Sequence, residues 1–163
     1  MIIEVEIKKS IVDRAEKKSK EMGRLRNSIT KGSGNIAGFI GEEIVKEYIS
    51  ADESNTYDYD LVKGNFKIDV KTKRTNYPPL SYYEASIANY NPNQKCDIYA
   101  FVRVLNDFSK AYLCGWVTKE QYFKKAKFLK KGQVDPSNNF TVKADCYNLP
   151  YSCMNPFKKN KRG

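Results

Sequence analysis

The sequence predicts an α/β protein, a sheet domain in which helices precede and follow a series of strands. Segments in which apolar and polar residues alternate, as in strands, are interspersed with segments whose apolar residues recur every three to four positions, as in helices. The chain has 163 residues, of which 40% are hydrophobic, and this is enough to bury one core. Since no internal repeat is present, we expect a single domain over residues 1–163.

The first part of the chain is predicted to contain one strand and two helices. Residues 2–8 alternate as a short strand, and Ser10 can cap a helix over 11–22. A basic, glycine-rich connection over 23–35 then leads to a second helix over 36–50, which carries an apolar stripe.

The rest of the chain is dominated by strand-like segments. Extended segments are predicted at 57–63, 66–73, 82–88, 96–105, 110–117 and 139–147. A helix over 119–129, capped by Thr118, precedes the last of them. We divide the domain into an N-terminal strand, helix and basic loop (1–34), a core (35–147) and a C-terminal extension with a basic tail (148–163).

The composition favours a polyanionic partner. The formal net charge is +10 and the pI is about 9.3, and each phosphate that a basic protein neutralises releases counterions. The simpler alternative is a solvated, lysine-rich surface. Because no apolar run approaches the ~20 residues of a membrane span and the N-terminus lacks a secretory signal, we expect a cytoplasmic protein that does not enter membranes.

Histidine is absent, and this excludes several kinds of catalysis. Ser-His and Cys-His triads and the histidine-dependent nuclease classes are ruled out, so hydrolysis would have to use carboxylates, lysine and a metal ion. The four cysteines form no CxxC pair, so neither a zinc site nor a cytoplasmic disulfide is expected. They are Cys96, Cys114, Cys146 and Cys153.

The most informative segment is 57–74, which reads as a β-hairpin. Gly64–Asn65 can form a two-residue turn, with glycine in the first central position as a type II′ turn prefers. The turn fixes the pairing of the two strands. The facing pairs are Val62–Lys67, Leu61–Ile68, Asp60–Asp69 and Asp58–Lys71.

Alternation along the strands gives this hairpin two different faces. The polar face carries Asp58, Asp60, Asp69 and Lys71. The other face is apolar and carries Tyr59, Leu61, Phe66, Ile68 and Val70.

The polar face suggests a metal site. Facing carboxylates with Cβ atoms roughly 5 Å apart repel each other, and a divalent cation between Asp60 and Asp69 would remove that repulsion. Oxygen ligands suit Mg²⁺ or Mn²⁺. Lys71 could then orient or deprotonate a water molecule for attack on phosphorus. The alternative is a solvated polar face on which Lys71 neutralises an aspartate.

Asp60, followed nine residues later by Asp69, Val70 and Lys71, resembles the signature of the PD-(D/E)XK nuclease superfamily. The match is close over the hairpin, and the flanking order of elements resembles the αβββαβ core of that family over 35–147. The resemblance implies a restriction-endonuclease-like fold with a mixed central sheet flanked by helices.

The residues around this motif can also be compared with those of the family. Tyr59 stands where the family has its nominal proline. Many relatives place a glutamate on the preceding helix, and the run from Gly41 to Ile49 resembles that helix. The role is carried over to Glu42, with Glu43 as second choice. Both lie at the edge of the apolar stripe, so periodicity does not decide between them.

The resemblance implies hydrolysis of DNA phosphodiester bonds with Mg²⁺ or Mn²⁺. Asp60, Asp69 and the Val70 carbonyl would be the metal ligands, and Glu42 and Lys71 would complete the catalytic set. Asp58 is a candidate for a second metal or an outer-shell role, or it simply pairs with Lys71 or Lys73.

The predicted DNA-binding residues are Arg24, Arg26, Lys31, Lys73 and Arg74. The glycine-rich loop lacks the Lys-Ser/Thr ending of a P-loop, so no nucleotide cofactor is expected. For the other candidates a structural explanation is favoured over contact with nucleic acid, namely a solvated face for the lysines and packing for the tyrosines. They are the lysines at 124, 125, 127, 130 and 131 and the tyrosines at 77, 82, 83 and 90.

The favoured function is therefore a small DNA endonuclease of restriction, junction-resolvase or phage type, in the host cytoplasm if it is phage-encoded. A homodimer through residues 2–22 would supply the two active sites needed to cut two strands. The alternatives are a Holliday-junction resolvase-type enzyme, a nuclease acting on RNA, and a non-catalytic nucleic-acid-binding protein that keeps the fold.

Overall fold

The fold is an α/β sandwich with two sheets. In the computed structural model the described residues are 1–26, 36–54, 56, 58–88 and 93–159, with side chains described only up to residue 22 in the first of these ranges. The three helices are α1 (Lys9–Arg26), α2 (Ile36–Ile49) and α3 (Lys119–Lys125). The strands are β1 (Ile3–Glu6), β2 (Asp52–Glu53), β3 (Leu61–Lys63), β4 (Phe66–Thr75), β5 (Glu84–Ala88), β6 (Ile98–Leu105), β7 (Lys110–Thr118), β8 (Lys127–Leu129) and β9 (Cys146–Pro150).

The main sheet has six strands in the order β1-β7-β6-β4-β3-β2. It is mixed, because β4 and β6 run parallel while the other neighbours are antiparallel. The second sheet has three antiparallel strands in the order β5-β9-β8. The prediction of an α/β fold with a mixed sheet and flanking helices is therefore confirmed.

The main sheet separates two hydrophobic clusters. On one face, α1 and α2 pack through Ile11, Ile40 and Ile44 against Ile68 and Val70 of β4 and further residues of β6 and β7. On the other face, aromatic residues fill the space beneath α3 and the small sheet. The large members of this second cluster are Tyr99, Phe101, Tyr112, Tyr122 and Tyr151. Alternation along β4 then directs Asp69, Lys71 and Lys73 to the second face.

Two predicted helices have wrong boundaries, and α1 also extends four residues past its predicted end, to Arg26. Helix α1 begins at Lys9, so Ser10 lies inside it; the N–H groups of Ile11 and Val12 both donate to the Lys8 carbonyl, and Ile11 is buried in the core. The helix predicted over 119–129 ends at Lys125, after the capping box that Thr118 forms with Gln121. The chain then becomes extended, because Lys127–Leu129 pairs with β9.

Two extended segments also differ from expectation. The first hairpin strand, predicted over 57–63, is paired with β4 only from Leu61 onward. The residues before it turn back, with the Ser54 N–H donating to the Asp60 carbonyl and the Thr56 N–H to the Tyr59 carbonyl. The segment predicted over 139–147 contributes a strand only at its end, Cys146–Pro150.

No helix in the described part of the chain is long and apolar enough to cross a lipid bilayer.

Candidate active site

The β3–β4 hairpin has the predicted register. Leu61 is paired with Ile68 and Val62 with Lys67. The two-residue turn places Gly64 at a φ of +59°, in the left-handed region where glycine has no steric cost. The turn residues thus fix which side chains approach each other at the far end of the hairpin.

Asp60 lies at that far end, immediately before β3. Its N–H donates to the Ile68 carbonyl at 2.9 Å, and its Oδ2 accepts from the Val70 N–H at 2.8 Å. These two bonds attach Asp60 to β4 on either side of Asp69. The Asp60 and Asp69 side chains come close enough to hydrogen-bond, as the predicted pairing requires.

Asp69 is in the interior of β4 and is 8% exposed. Its Oδ2 is buried and accepts no hydrogen bond of good geometry from the described residues, although Lys71 Nζ lies 3.0 Å away. The Lys71 ammonium also lies 6.0 Å from the centre of the Tyr99 ring. Lys71 therefore lies beside a carboxylate oxygen that can still accept a hydrogen bond or bind a cation.

Helix α2 places Glu42 next to Asp60. The helix approaches β4 so closely at Gly41 that a Cβ atom there would be 1.9 Å from Thr72 Oγ1. The next residue, Glu42, forms a side-chain hydrogen bond with Asp60. Only a residue without a side chain allows this approach, so Gly41 is what brings the helix carboxyl group to the hairpin.

The three carboxyl groups are electrostatically coupled. Burial, followed by the charge of Asp60, raises the pKa of Glu42 to about 8. Burial and the charge of Asp69 raise the pKa of Asp60 to about 6, against the opposing effect of the Val70 N–H bond. The ionised forms of Glu42 and Asp60 are therefore disfavoured in the folded protein.

Glu43 faces a different environment. It is buried, and its carboxylate lies 3.4 Å from Arg14 Nη2, 3.7 Å from Lys18 Nζ and 3.2 Å from Lys46 Nζ. These ion pairs connect α2 to α1. Of the two glutamates that the sequence left open, Glu42 is the one beside the hairpin aspartates, and Glu43 has a stabilising position between the helices.

Asp58 does not have the predicted position opposite Lys71. The pairing of β3 with β4 ends at Leu61, and the Asp58 carbonyl accepts a bond from Gln94 Nε2 at 2.9 Å. The backbone bonds from Ser54 to Asp60 and from Thr56 to Tyr59 explain the difference, because they take Asp58 out of the extended path. Lys71 forms its ion pair with Asp69 instead.

The oxygen donors of the Glu42, Asp60 and Asp69 cluster suit a divalent cation. Within the described ranges, no three His, Cys, Asp or Glu side chains are placed to hold a metal ion. The predicted ligand set needs only the Asp60 and Asp69 carboxylates and the Val70 carbonyl, all hard oxygen donors. The buried Asp69 Oδ2 and the mutual repulsion of the acids are both features that a bound cation would relieve.

The two predicted DNA-binding residues whose side chains are described, Lys73 and Arg74, lie on opposite faces of β4. Lys73 is on the face of β4 that carries Asp69 and Lys71, whereas the Arg74 guanidinium packs 4.9 Å from the Phe108 ring centre in the opposite layer. Arg24 and Arg26 belong to α1, but their side chains, like Lys31 as a whole, lie outside what the structure describes.

Among the other basic and aromatic candidates, Lys127 and Tyr83 have structural contacts. Lys127 is on β8 rather than on a helix face, and its ammonium lies 2.7 Å from Asp135 Oδ1 and 3.6 Å from Glu84 Oε2. Tyr82 is 68% exposed, whereas Tyr83 packs against the second cluster.

Sequence reasoning missed Arg103, which is 8% exposed on β6. Its Nε donates to the Tyr151 hydroxyl at 2.8 Å, and its guanidinium carbon lies 5.2 and 5.3 Å from the Tyr83 and Tyr151 ring centres. A single cation inside the apolar run 98–105 was the signal that could have identified it.

The sequence matches no protein-family model, and no curated protein matches it.

Proposed function

We propose that this protein is a Mg²⁺- or Mn²⁺-dependent DNA endonuclease of the PD-(D/E)XK type. The observation that carries the proposal is the convergence of Glu42, Asp60, Asp69 and Lys71 at one end of the β3–β4 hairpin. The spacing of Asp60, Asp69 and Lys71 is that of the family signature, and α2 supplies the glutamate. In this proposal the α2–hairpin–β6–β7–α3 order corresponds to a restriction-endonuclease-like core.

The metal ligands in this proposal are Asp60, Asp69 and the Val70 carbonyl. A divalent cation bound there would lower the pKa of a coordinated water and stabilise charge on the phosphate. The Asp60–Val70 bond keeps the first carboxylate close to the second, because it connects Asp60 directly to the backbone of β4.

Lys71 and Glu42 have separate roles. The Lys71 ammonium lies 3.0 Å from Asp69 Oδ2. From there it can orient the attacking water and stabilise the negative charge that develops on the phosphate. Glu42, through its bond to Asp60, positions that carboxylate and can accept a proton once its own carboxyl group is ionised.

The surroundings of the site support a polyanionic substrate. The net charge of +10 favours nucleic acid over a neutral substrate, and Lys73 continues the line of polar residues along the same face of β4. The N-terminal strand and helix are the proposed surface for a second copy, which would allow both strands of a duplex to be cut.

The test is a cleavage panel with supercoiled, linear and four-way-junction DNA and single-stranded RNA. Wild type is assayed with Mg²⁺, Mn²⁺ or EDTA beside Asp69→Ala. We expect metal-dependent cleavage of at least one DNA form, absent in EDTA and in Asp69→Ala. Binding without cleavage would identify a non-catalytic protein, cleavage of RNA alone an RNA nuclease, and preference for the junction a resolvase-type enzyme.

A further inference from the structure

A cavity of about 710 Å³ opens on the same side of the main sheet as Asp69 and Lys71. Lys73 forms part of its wall, four residues along β4 from Asp69. Because a strand rises by about 3.3 Å per residue, the two positions are roughly 13 Å apart. A nucleic-acid strand held at the carboxylates can therefore extend into this cavity.

The cavity contains a buried cation without a counterion. Arg103 lines it, yet within the described chain no carboxylate lies within ion-pair distance of the guanidinium. Its bonds go to the Tyr151 hydroxyl and, at 3.4 Å, to the Glu84 carbonyl. A buried charge without an ionic partner is costly, and an anion entering the cavity would supply one.

The acids in the cavity wall do not cancel this positive charge. Asp135 and Glu84 both line the cavity, but both lie within ion-pair distance of Lys127. Lys73, which is paired with Arg103 across β4 and β6, adds a second cation, and partial burial and the charge of Arg103 lower the pKa of its ammonium group. Two cations beside each other are a suitable environment for a phosphate group.

The rim of the cavity offers aromatic surface. Tyr82 and Phe140 line it and are 68% and 55% exposed, which is unusual for large rings beside a cavity. Flat faces of this kind stack on nucleobases regardless of sequence. Asn148, also in the wall, has a buried Oδ1 without a hydrogen-bond donor among the described residues.

We propose that this cavity binds one unpaired nucleotide of the substrate strand, with its phosphate at Lys73 and Arg103 and its base against Tyr82 and Phe140. That the bound strand is the DNA being cut rests on the proposed function. The new element is that this strand has an unstacked base within about two nucleotides of the scissile phosphate. Branched, nicked or single-stranded DNA supplies such a base more readily than continuous duplex.

The experiment is an NMR titration of ¹⁵N-labelled protein in EDTA with thymidine 5′-monophosphate, thymidine and inorganic phosphate. The Arg103 Nε–H signal reports the phosphate end of the cavity. We expect saturable shifts with the monophosphate, at lower concentration than with either thymidine or inorganic phosphate. Equal binding of inorganic phosphate and of the monophosphate would overturn the base site, and the absence of saturation would overturn the proposal.

Three variants sharpen the test. Tyr82→Ala and Lys73→Ala should each weaken binding of the monophosphate by at least about fivefold. Phe66→Ala removes an equally exposed ring, 56% against 55% for Phe140, outside the cavity, and should change binding by less than about twofold. Unchanged binding in Tyr82→Ala and Lys73→Ala would contradict the assigned positions.

The EDTA separates this test from the test of the proposed function. Binding of the nucleotide by a protein that cuts no nucleic acid with Mg²⁺ would reject the nuclease and keep the nucleotide site. Cleavage by a protein that binds no mononucleotide would reject the site and keep the nuclease.

Discussion

The carboxylate of Asp60 accepts a hydrogen bond of 2.8 Å from the backbone N–H of Val70. This one bond connects the residue before β3 to the residue between Asp69 and Lys71, so that the two proposed metal-binding carboxylates are held by the same stretch of β4.

Asp60→Asn should fold and lose activity. The amide oxygen can still accept from the Val70 N–H, but the negative charge next to Asp69 is gone. We expect Mn²⁺ affinity, measured by calorimetry, to fall by at least about tenfold. Asp97→Asn is the control, because the Asp97 carboxylate also accepts from a β4 N–H, that of Lys67 at 2.9 Å, outside the cluster. Equal losses in both variants would reject a special role for Asp60.

Gly41→Ala should displace α2 from β4, because its Cβ would lie 1.9 Å from Thr72 Oγ1. We expect DNA cleavage to slow by about 10- to 100-fold as Glu42 moves away from Asp60. Thr72→Ala in the same chain removes the colliding oxygen and should restore part of the rate.

Gly38→Ala is the matched control for this substitution. A Cβ atom at Gly38, on the same helix, meets nothing within 4 Å. It should therefore leave the cleavage rate unchanged and stabilise α2 by about 0.5–1 kcal/mol. If Gly41→Ala behaves like Gly38→Ala, the close approach does not position Glu42.

The metal-free protein should lose stability as pH rises from 5 to 8. The pKa of Glu42 in the folded protein is about 8 against a usual value of 4.5, so between these values the folded state binds more protons than the unfolded state. The free energy of unfolding therefore falls with rising pH, and the raised pKa of Asp60 acts in the same direction. Since histidine is absent, few other groups titrate in this interval.

Urea unfolding of the metal-free protein at pH 5 and at pH 8 measures this effect. We expect a fall on the order of 1–3 kcal/mol for wild type, allowing for partial solvent exposure, and a much smaller fall for Glu42→Gln. A wild-type stability that rises over this interval would contradict the coupled cluster, as would an unchanged slope in Glu42→Gln.

Glu43→Gln should destabilise the protein, whereas the same substitution at the neighbouring Glu42 should not. Neutralising Glu43 leaves Arg14, Lys18 and Lys46 without their shared buried partner. We expect the free energy of unfolding to fall by about 1–3 kcal/mol at pH 8, with Mn²⁺ affinity unchanged. Loss of Mn²⁺ affinity in Glu43→Gln, with Glu42→Gln unaffected, would reverse the assignment of the two glutamates.

The parts of the site that sequence predicted are those fixed by local geometry. A two-residue turn at Gly64–Asn65 sets the register of Leu61 and Val62 against β4, and this brings Asp60, the residue before β3, to Asp69. Lys71 then lies on the same face as Asp69 because side chains alternate along β4.

The parts that sequence did not predict depend on distant partners. The choice between Glu42 and Glu43 follows from the contact of Gly41 with Thr72, residues 31 positions apart (72 minus 41), and from the cations of α1. Similarly, residues 127–129 have a pattern that suits a helix, and only pairing with β9 makes them a strand. Helix propensity is a weak preference that such tertiary contacts override.

The most direct test of the central claim is single-turnover DNA cleavage with Mg²⁺ by Lys71→Ala beside Lys67→Ala. Both lysines lie on the same strand and face, but only the Lys71 ammonium lies beside Asp69, at 3.0 Å. We predict that Lys71→Ala cuts at least about 100-fold more slowly than wild type, while Lys67→Ala stays close to it. Cleavage by Lys71→Ala at the wild-type rate would contradict the assignment of this hairpin as the active site.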